Sequence, residues 1–552
     1  MAFFLTMFCV SGIVLNHRTV FGKVNVSRGW LPRQFQYHNW NNGLLRGTLP
    51  MSDGSVMIYG SGGIWLTDSI GKTVCDGSQG MAESADARNI RAVVVMPDGT
   101  HIAVAPYDVW KAMPSNTKTT TRGHHRLMSW SRMDIGNGTE EPVRFTDATT
   151  RGDTLVILSR SHVYMALPPY RDFKRYELRA PQGYDGSVSL FRTVWMLHSG
   201  ELFGMPGKIF MDIMALLIMF FCLTGIIIWI MPKYLKRKNK QAKADTSKQP
   251  TPATNPSTQP TINPSSEPTT KPYSLFHHPY SNKATKPYSL FHHPYSIHRI
   301  SLKWHELLGR KTIILTIFVC LTGWMLRPPV LIALVKNSTK PVPFSQLDTP
   351  NAWADKLRMI RWDDQQHDWL LSTSSGFYAL KDFNTVPAAI EGAPPVSVMG
   401  LNVCQRQGKV WLIGSFSGLF LWDRSTANAI DAFTGEPAPT TAGAPFGNVA
   451  VAGYTDDIQG RQILSTWYDG VMSLDMQHIG EDGDNSMPQP QSMQALPMSL
   501  WSLALEVHTG RIYTFMCGAE TLIYVFVAGI LALWILWSGW KIRKRTAKKE
   551  IR

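Results

Sequence analysis

The chain is poor in acidic charge and in cysteine. Its 552 residues carry 40 Asp and Glu against 55 Lys and Arg, a formal charge of +15, and hold six cysteines. A cationic excess raises nucleic acid as a partner, and placement decides the matter. Lys233, Lys236, Arg237, Lys238, Lys240 and Lys243 follow one long apolar run, and Lys541, Arg543, Lys544, Arg545, Lys548, Lys549 and Arg552 follow another. Cations just beyond membrane exits are what the positive-inside rule asks of cytoplasmic flanks. No nucleic-acid partner is needed to explain them. Scarce cysteine limits covalent bracing. Cys9, Cys222 and Cys320 sit in apolar runs and Cys517 near the head of the last one, so Cys75 and Cys404 are the remaining pair that a disulfide could join. The chain also lacks a nucleophile–base constellation, a zinc motif, a P-loop and a dinucleotide fingerprint. It is therefore not expected to hold a nicotinamide or flavin of its own.

What it has is apolar runs. Ile213–Met231 (19 residues) and Thr521–Trp540 (20 residues) carry no formal charge, and a bilayer core takes roughly 20 apolar residues of helix. Thr312–Leu326 has 15, but Arg310, Lys311 and Arg327 can snorkel to extend its reach. Ala2–Leu15 has 14. It lacks a basic n-region, and "VSGIVLNHR" is a poor small-x-small cleavage site. It reads as the outer part of a spanning helix that starts upstream rather than as a signal peptide. Four spans follow, at 1–18, 191–232, 299–327 and 501–540. Two exported regions lie at 19–190 and 328–500, a cytoplasmic linker at 233–298 and a basic cytoplasmic tail at 541–552. The linker is dominated by Pro, Ser, Thr, Asn, Gln and Lys, and repeats "TKPYSLFHHPYS" at 270–281 and 285–296. His277, His278, His292 and His293 could bind a metal there, but adjacent histidines without a thiol or carboxylate make a weak site, and a duplication in an unconstrained linker explains them.

The exported regions share a phrase of turn, strand, polar break and second strand. It occurs at 53–68, 98–112, 152–167, 367–380, 408–423 and 460–475. The residue before the second strand is Gly63, Asp108 and His162 in the first half and Gly376, Gly418 and Gly470 in the second. Spacings of 45 and 54, then 42 and 52, suit four-stranded propeller blades of about 40–50 residues. Glycine at four of the six positions suits a hairpin with φ > 0. Three units per half in matching order make the chain a duplication. The fold class is a membrane protein, α plus all-β, with four transmembrane helices (a duplicated two-helix unit) and a β-rich exported domain. One six-bladed propeller built from both halves is one arrangement, and two separate small β domains are the other.

Histidines stand at the edges of the spans. His198 in "VWMLHSGELFG" (194–204) and His508 in "LEVHTGRIYTF" (505–515) occupy corresponding places, each followed two residues later by glycine. His17 ends the first span and His305 opens the third. A lone histidine there is ordinarily an interfacial residue. Four of them, two in duplicate contexts, make functional candidates, and neutral imidazole is a common axial ligand of haem iron. The Thr224–Gly225 and Thr322–Gly323 pairs inside spans would give a flat macrocycle room or let helices pack closely.

"LHSGELFG…LTGIIIW", "WHELLG…LTGWML", "VSGIVLNHR" and "EVHTGRIY…SGW" together resemble the PepSY-associated transmembrane helix family, also called iron-regulated membrane proteins, which includes bacterial inner-membrane reductases of ferric siderophores. The resemblance implies a four-helix unit in the inner membrane, termini cytoplasmic and both large regions periplasmic, carrying haem b by bis-histidine ligation and passing electrons outward. Carried over, His198 and His508 match an outer ligand pair and His305 one inner ligand, with His17 a further candidate. A ferric siderophore or other iron chelate would be the acceptor. A membrane-anchored β-propeller that binds or senses a ligand, or regulates a peptidase, without redox activity is the alternative.

Overall fold

The computed structural model describes residues 2–113, 121–122, 125–126, 128–136, 143–246, 294–397, 399–439, 447–476, 479, 486–514 and 521–550. The linker histidines His277, His278, His292 and His293, and Cys517, lie outside them. The chain divides into two compact units, one of residues 1–9, 213–321 and 528–552, the other of residues 10–212 and 322–527.

The first unit is helical. Its described residues belong to α1 (Ala2–Asn16), α3 (Gly204–Thr246), α4 (Pro294–Met325) and α6 (Thr521–Glu550), with α2 (Leu190–Ser199) and α5 (Leu500–Thr509) lying wholly in the other unit. Among the described residues three stretches, Glu201–Gln241, Ser296–Met325 and Ile523–Lys541, are long and apolar enough to cross a membrane, and α1 is a shorter apolar helix. Cys9, Ile218 and Cys222 form a small core with Leu5, Met219 and Val319. The hydroxyls of Thr6, Thr224, Thr312 and Thr316 each donate to the carbonyl four residues back, which satisfies a polar group where water is scarce.

Among the described residues the second unit holds six antiparallel sheets of three or four strands, besides three two-stranded ones, and each of the six pairs its strands in chain order. The strands are 47–50, 56–60, 63–67 and 74–76 in sheet 1, 92–95, 101–104, 109–112 and 131–133 in sheet 2, and 145–151, 154–159, 163–166 and 174–176 in sheet 3. Sheet 4 has 357–363, 368–373, 376–380 and 388–389, sheet 5 has 401–407, 410–415, 418–423 and 428–431, and sheet 6 has 451–455, 463–466 and 470–473. All six sequence phrases fall on the second and third strands of a sheet. Gly63, Gly376, Gly418 and Gly470 take φ of +99°, +140°, +134° and +83°, the left-handed backbone that their hairpins need.

Both faces of each sheet are apolar, so each requires two neighbours. Shared cores supply them. Ile64 and Leu66 of sheet 1 pack with Ala103 and Trp110 of sheet 2, Ile102 and Val104 of sheet 2 with Leu155 and Ile157 of sheet 3, and Val156 and Leu158 of sheet 3 with Ile360 and Trp369 of sheet 4. Leu370 and Phe377 of sheet 4 pack with Ile413 and Trp422 of sheet 5, and Leu412 and Leu419 of sheet 5 with Leu464 and Met472 of sheet 6. Val56 and Ile58 of sheet 1 share a core with Ile463 and Val471 of sheet 6, joined there by Trp40, Leu44 and Leu45. Two of these cores mix the halves of the chain, so the halves do not form separate β domains.

Cys75 and Cys404, the pair that a disulfide could have joined, are not bridged to each other. Cys75 lies on the last strand of sheet 1, whereas Cys404 is buried in the first strand of sheet 5. The chain that follows His198 breaks at Gly200 and Gly204, with φ of +79° and +63°, and Pro206 sits in the first turn of α3, where its missing N–H costs nothing.

Candidate functional site

Helices α2 and α5 are built to one plan. Each has ten residues and follows a two-residue strand, Val188–Ser189 paired with Ser338–Thr339 and Met498–Ser499 paired with Asn25–Val26. Each ends on a left-handed glycine, Gly200 (φ +79°) or Gly510 (φ +80°), before a turn of 3-10 helix. These glycines are doubly required. A Cβ on Gly200 would lie 2.2 Å from the Gly207 carbonyl oxygen, and one on Gly510 would lie 2.6 Å from Val525. Helix end and close packing thus fix where the penultimate residues, His198 and His508, are held.

The two rings meet. Their centres are 6.2 Å apart with planes inclined by 43°. His198 Nδ1 lies 3.1 Å from Thr322 Oγ1 of α4, and His508 Nδ1 lies 3.1 Å from Ser11 Oγ of α1. The next residue in each of these two helices is glycine. A Cβ on Gly323 would stand 2.8 Å from His198 Cε1, and one on Gly12 would stand 3.4 Å from His508 Cε1. The hydroxyl holds the ring and the glycine makes room for it.

The same device recurs in the first unit. His305 Nδ1 is 2.7 Å from Thr224 Oγ1, and the neighbouring Gly225 would place a Cβ 3.8 Å from His305 Cε1. The Thr224 hydroxyl donates its proton to the Phe220 carbonyl (2.8 Å), so its oxygen accepts from Nδ1–H. That fixes Nε2 as the basic nitrogen. Phe221 meets the ring edge-on, with centres 5.4 Å apart. A fourth hydroxyl–glycine pair, Ser538–Gly539 in α6, has Ile313 beside its glycine.

His17 is not brought to the pair. Its Nε2 is 2.7 Å from Asp212 Oδ2, and the Asn16 amide donates to Asp212 Oδ1 at 3.0 Å. Arg327, just past α4, donates to the His508 and Thr509 carbonyls at 2.6 and 2.7 Å. Trp324 stacks near Phe526, and its indole N–H is buried without a partner.

These residues suit a haem held by His198 and His508. Two imidazoles on opposite sides of one metal ion, with bonds of about 2 Å, put their ring centres about 6 Å apart. A hydroxyl at each Nδ1 holds the ring's rotation, as outer partners of ligating histidines do. Glycine beside each ring lets the imidazole pack against the helix backbone. Among the described residues, no group of three or more His, Cys, Asp or Glu could hold a metal ion by itself. Sequence reasoning picked out the three histidines and two of the Thr–Gly pairs. It passed over Ser11, although "SG" and "TG" recur in all four apolar runs, and Asp212, Trp324 and Arg327 carry no local signal that links them to the site.

No curated protein matches the chain. Among solved structures, two from B. thetaiotaomicron are similar, named as the extracellular domains of a one component system and of a hybrid two component system. Each is 11% identical, with TM-scores of 0.33 and 0.32. The alignments cover 79% and 81% of this chain but 33% and 35% of theirs, so the chain spans about a third of their length. At that overlap neither contributes to an assignment. Residues 1–231 match the family model described as the PepSY-associated TM region. Over those residues, from α1 through the apolar part of α3, the chain is similar to the PepSY-associated TM family that its span-edge motifs had indicated.

Proposed function

We propose that the chain is a haem-b-containing inner-membrane protein that transfers electrons across the bilayer, reducing a ferric siderophore or other ferric chelate in iron acquisition. The observation that carries this reading is the 6.2 Å between the ring centres of His198 and His508. Bound haem iron would supply one-electron chemistry, with its potential tuned by ligands, hydrogen bonds and burial. The protein's share is positional. Thr322 and Ser11 orient the rings, Gly323 and Gly12 keep side chains out of the way, and Arg327 ties the end of α5 to the end of α4. His305, oriented by Thr224, is the candidate ligand of an inner haem. His17 ranks behind the others because Asp212 already holds its Nε2.

In this reading α1 is the fourth span, the basic flanks of α3 and α6 are cytoplasmic, and the exported domain is a six-bladed propeller. The cyclic order of the shared cores supports the propeller, since a ring of blades lets every sheet cover both faces. The competing reading is an anchored binding, sensory or peptidase-regulating module without redox activity. In its favour, a hydroxyl partner is what a buried histidine needs even with no cofactor.

An absorption spectrum separates the two. Protein purified in detergent from haem-replete cells should show sharp b-type bands on dithionite reduction. His198→Ala and His508→Ala should each remove the bands of the outer site. A colourless wild-type preparation would sink the redox reading and leave the binding module.

A further inference from the structure

A basic residue directly precedes the first strand of sheets 1 to 4: Arg46, Arg91, Arg144 and Lys356. The backbones hold equivalent ladder positions. Arg46 N–H donates to Tyr59 O (2.9 Å), Arg91 N–H to Val104 O (2.7 Å), Arg160 N–H to Arg144 O (3.0 Å) and Ser374 N–H to Lys356 O (2.8 Å). Further guanidinium groups gather there. Arg160 pairs with Asp355 at 2.7 Å, Arg192 approaches the same carboxylate at 3.6 Å, and Arg358 donates to the Asp355 carbonyl at 2.9 Å. Arg18 pairs with Asp86 at 3.2 Å and lies 3.8 Å over the Trp501 ring. Arg46 donates to Asn89 and to the Ile90 carbonyl, at 2.7 and 2.5 Å.

Arg18, Arg160 and Arg192 thus face carboxylates, Arg46 and Arg358 donate to neutral oxygens, and the Lys356 ammonium lies 5.0 Å from the Tyr184 ring centre. Arg91 and Arg144 are the exceptions. Among the described residues neither side chain has a hydrogen bond or an ion pair, and both are half-buried rather than sealed off. Their charged neighbours are mostly like-charged. Arg91 feels Arg46, Arg18 and Arg160, and Arg144 feels Arg160, Arg18 and Arg91. Asp86, the carboxylate beside Arg91, is already held by Arg18, and the opposite-sign neighbour of Arg144 is the Tyr107 phenol rather than a carboxylate. Burial first, then these cations, pushes the Arg144 guanidinium down to about 9 and Arg91 well below its ordinary value. Arginine cannot escape the repulsion by discharging in the usual pH range. Its planar fork matches carboxylate and phosphate oxygens two at a time.

We propose that Arg91 and Arg144, within this collar at the starts of the first strands of sheets 1 to 4, bind a small polyanion that bears carboxylate or phosphate groups. The site requires neither iron nor haem, so it does not rest on the redox reading. A carboxylate-bearing ferric chelate would be one member of the class, and the headgroup of an anionic lipid another.

The test uses the full chain in detergent at low ionic strength, with citrate and then inorganic phosphate titrated calorimetrically. Citrate should bind the wild type, raise its Tm and weaken as salt is added. Arg91→Gln and Arg144→Gln should each weaken binding by tenfold or more and abolish the Tm rise. Arg91→Lys and Arg144→Lys, which keep the charge but lose the fork, should fall between. They also keep the comparison readable if a glutamine variant folds poorly. In nanodiscs, displacement of citrate by phosphatidylglycerol but not phosphatidylcholine would assign the headgroup as the source, and indifference to lipid would assign a soluble anion. Absence of citrate and phosphate binding at millimolar concentration, or variants that bind like wild type, would overturn the proposal.

Discussion

Thr322 Oγ1 lies 3.1 Å from His198 Nδ1, and it joins the end of α2 to the last turn of α4. Ser11 does the same for His508 from α1. If these hydroxyls orient iron ligands, Thr322→Val and Ser11→Ala should lower haem affinity by roughly 10–100-fold, the usual cost of losing an outer partner. The ratio of haem to protein after competition with apomyoglobin measures this. Unchanged retention in both variants would show that the hydroxyls serve packing alone.

Glycine beside the ring makes a sharper demand. A Cβ at Gly323 would stand 2.8 Å from His198 Cε1, whereas one at Gly225 would stand 3.8 Å from His305 Cε1. The first distance forces the imidazole to move and the second is ordinary contact. Gly323→Ala should therefore cost about 1–3 kcal/mol of overpacking and perturb the outer haem bands, while Gly225→Ala should leave spectrum and Tm near wild type. Equal effects at the two sites would contradict this geometry.

The hairpins were legible because they are local. A short apolar strand, a glycine that tolerates φ > 0 and a second apolar strand sit within about sixteen residues, and Gly376 and Gly418 announce the turn directly. The outer strands were not. Lys174–Tyr176 and Ala388–Ala389 are short and lack an apolar stripe. They exist because a neighbouring strand offers a ladder edge. The His198–His508 pair could be guessed from its duplicated context. Its hydroxyl partners could not, since Ser11 and His508 are 497 residues apart and only the packed helices bring them together. The shared cores were beyond reach for the same reason: nothing in residues 47–67 says that they will pack against residues 463–471.

Buried ion pairs link neighbouring sheets and make stability depend on pH. Asp363 accepts from Arg406 and Arg424, each at 2.5 Å. Burial raises its pKa, but Arg424 and Arg406 outweigh burial and hold it below the ordinary value. Stability from such a carboxylate is complete above its unfolded pKa of about 3.9 and is lost as pH falls through the lower folded value. Asp363→Asn should therefore lower Tm near neutral pH, with a cost of about 3–5 kcal/mol for stranding the two arginines. It should also flatten the fall in Tm below about pH 4. A mutant acid limb as steep as the wild type's would assign that pH dependence to other groups.

Gly470 tests how the ends of the β region are joined. Its φ is +83°, and a Cβ there would fall 1.8 Å from the Asn39 carbonyl oxygen. That carbonyl accepts from Val471 N–H at 2.9 Å, and the Asn39 amide donates to the Asp469 carbonyl at 3.1 Å. Trp40, fully buried, donates from its indole to the Met487 carbonyl and lies in the core shared by sheets 1 and 6. An alanine at 470 thus meets both a strained backbone, worth about 1–2 kcal/mol, and a main-chain atom that cannot swing aside. Gly54 makes the control, with φ of +81° and open space around its Cβ position, so Gly54→Ala carries the backbone term alone. Gly470→Ala should lose clearly more than Gly54→Ala in thermal or denaturant melts, and it should speed proteolysis on both sides of Asn39 as well as near residue 470. If the two alanines cost the same, the segment around Trp40 is not what fastens sheet 6 to sheet 1.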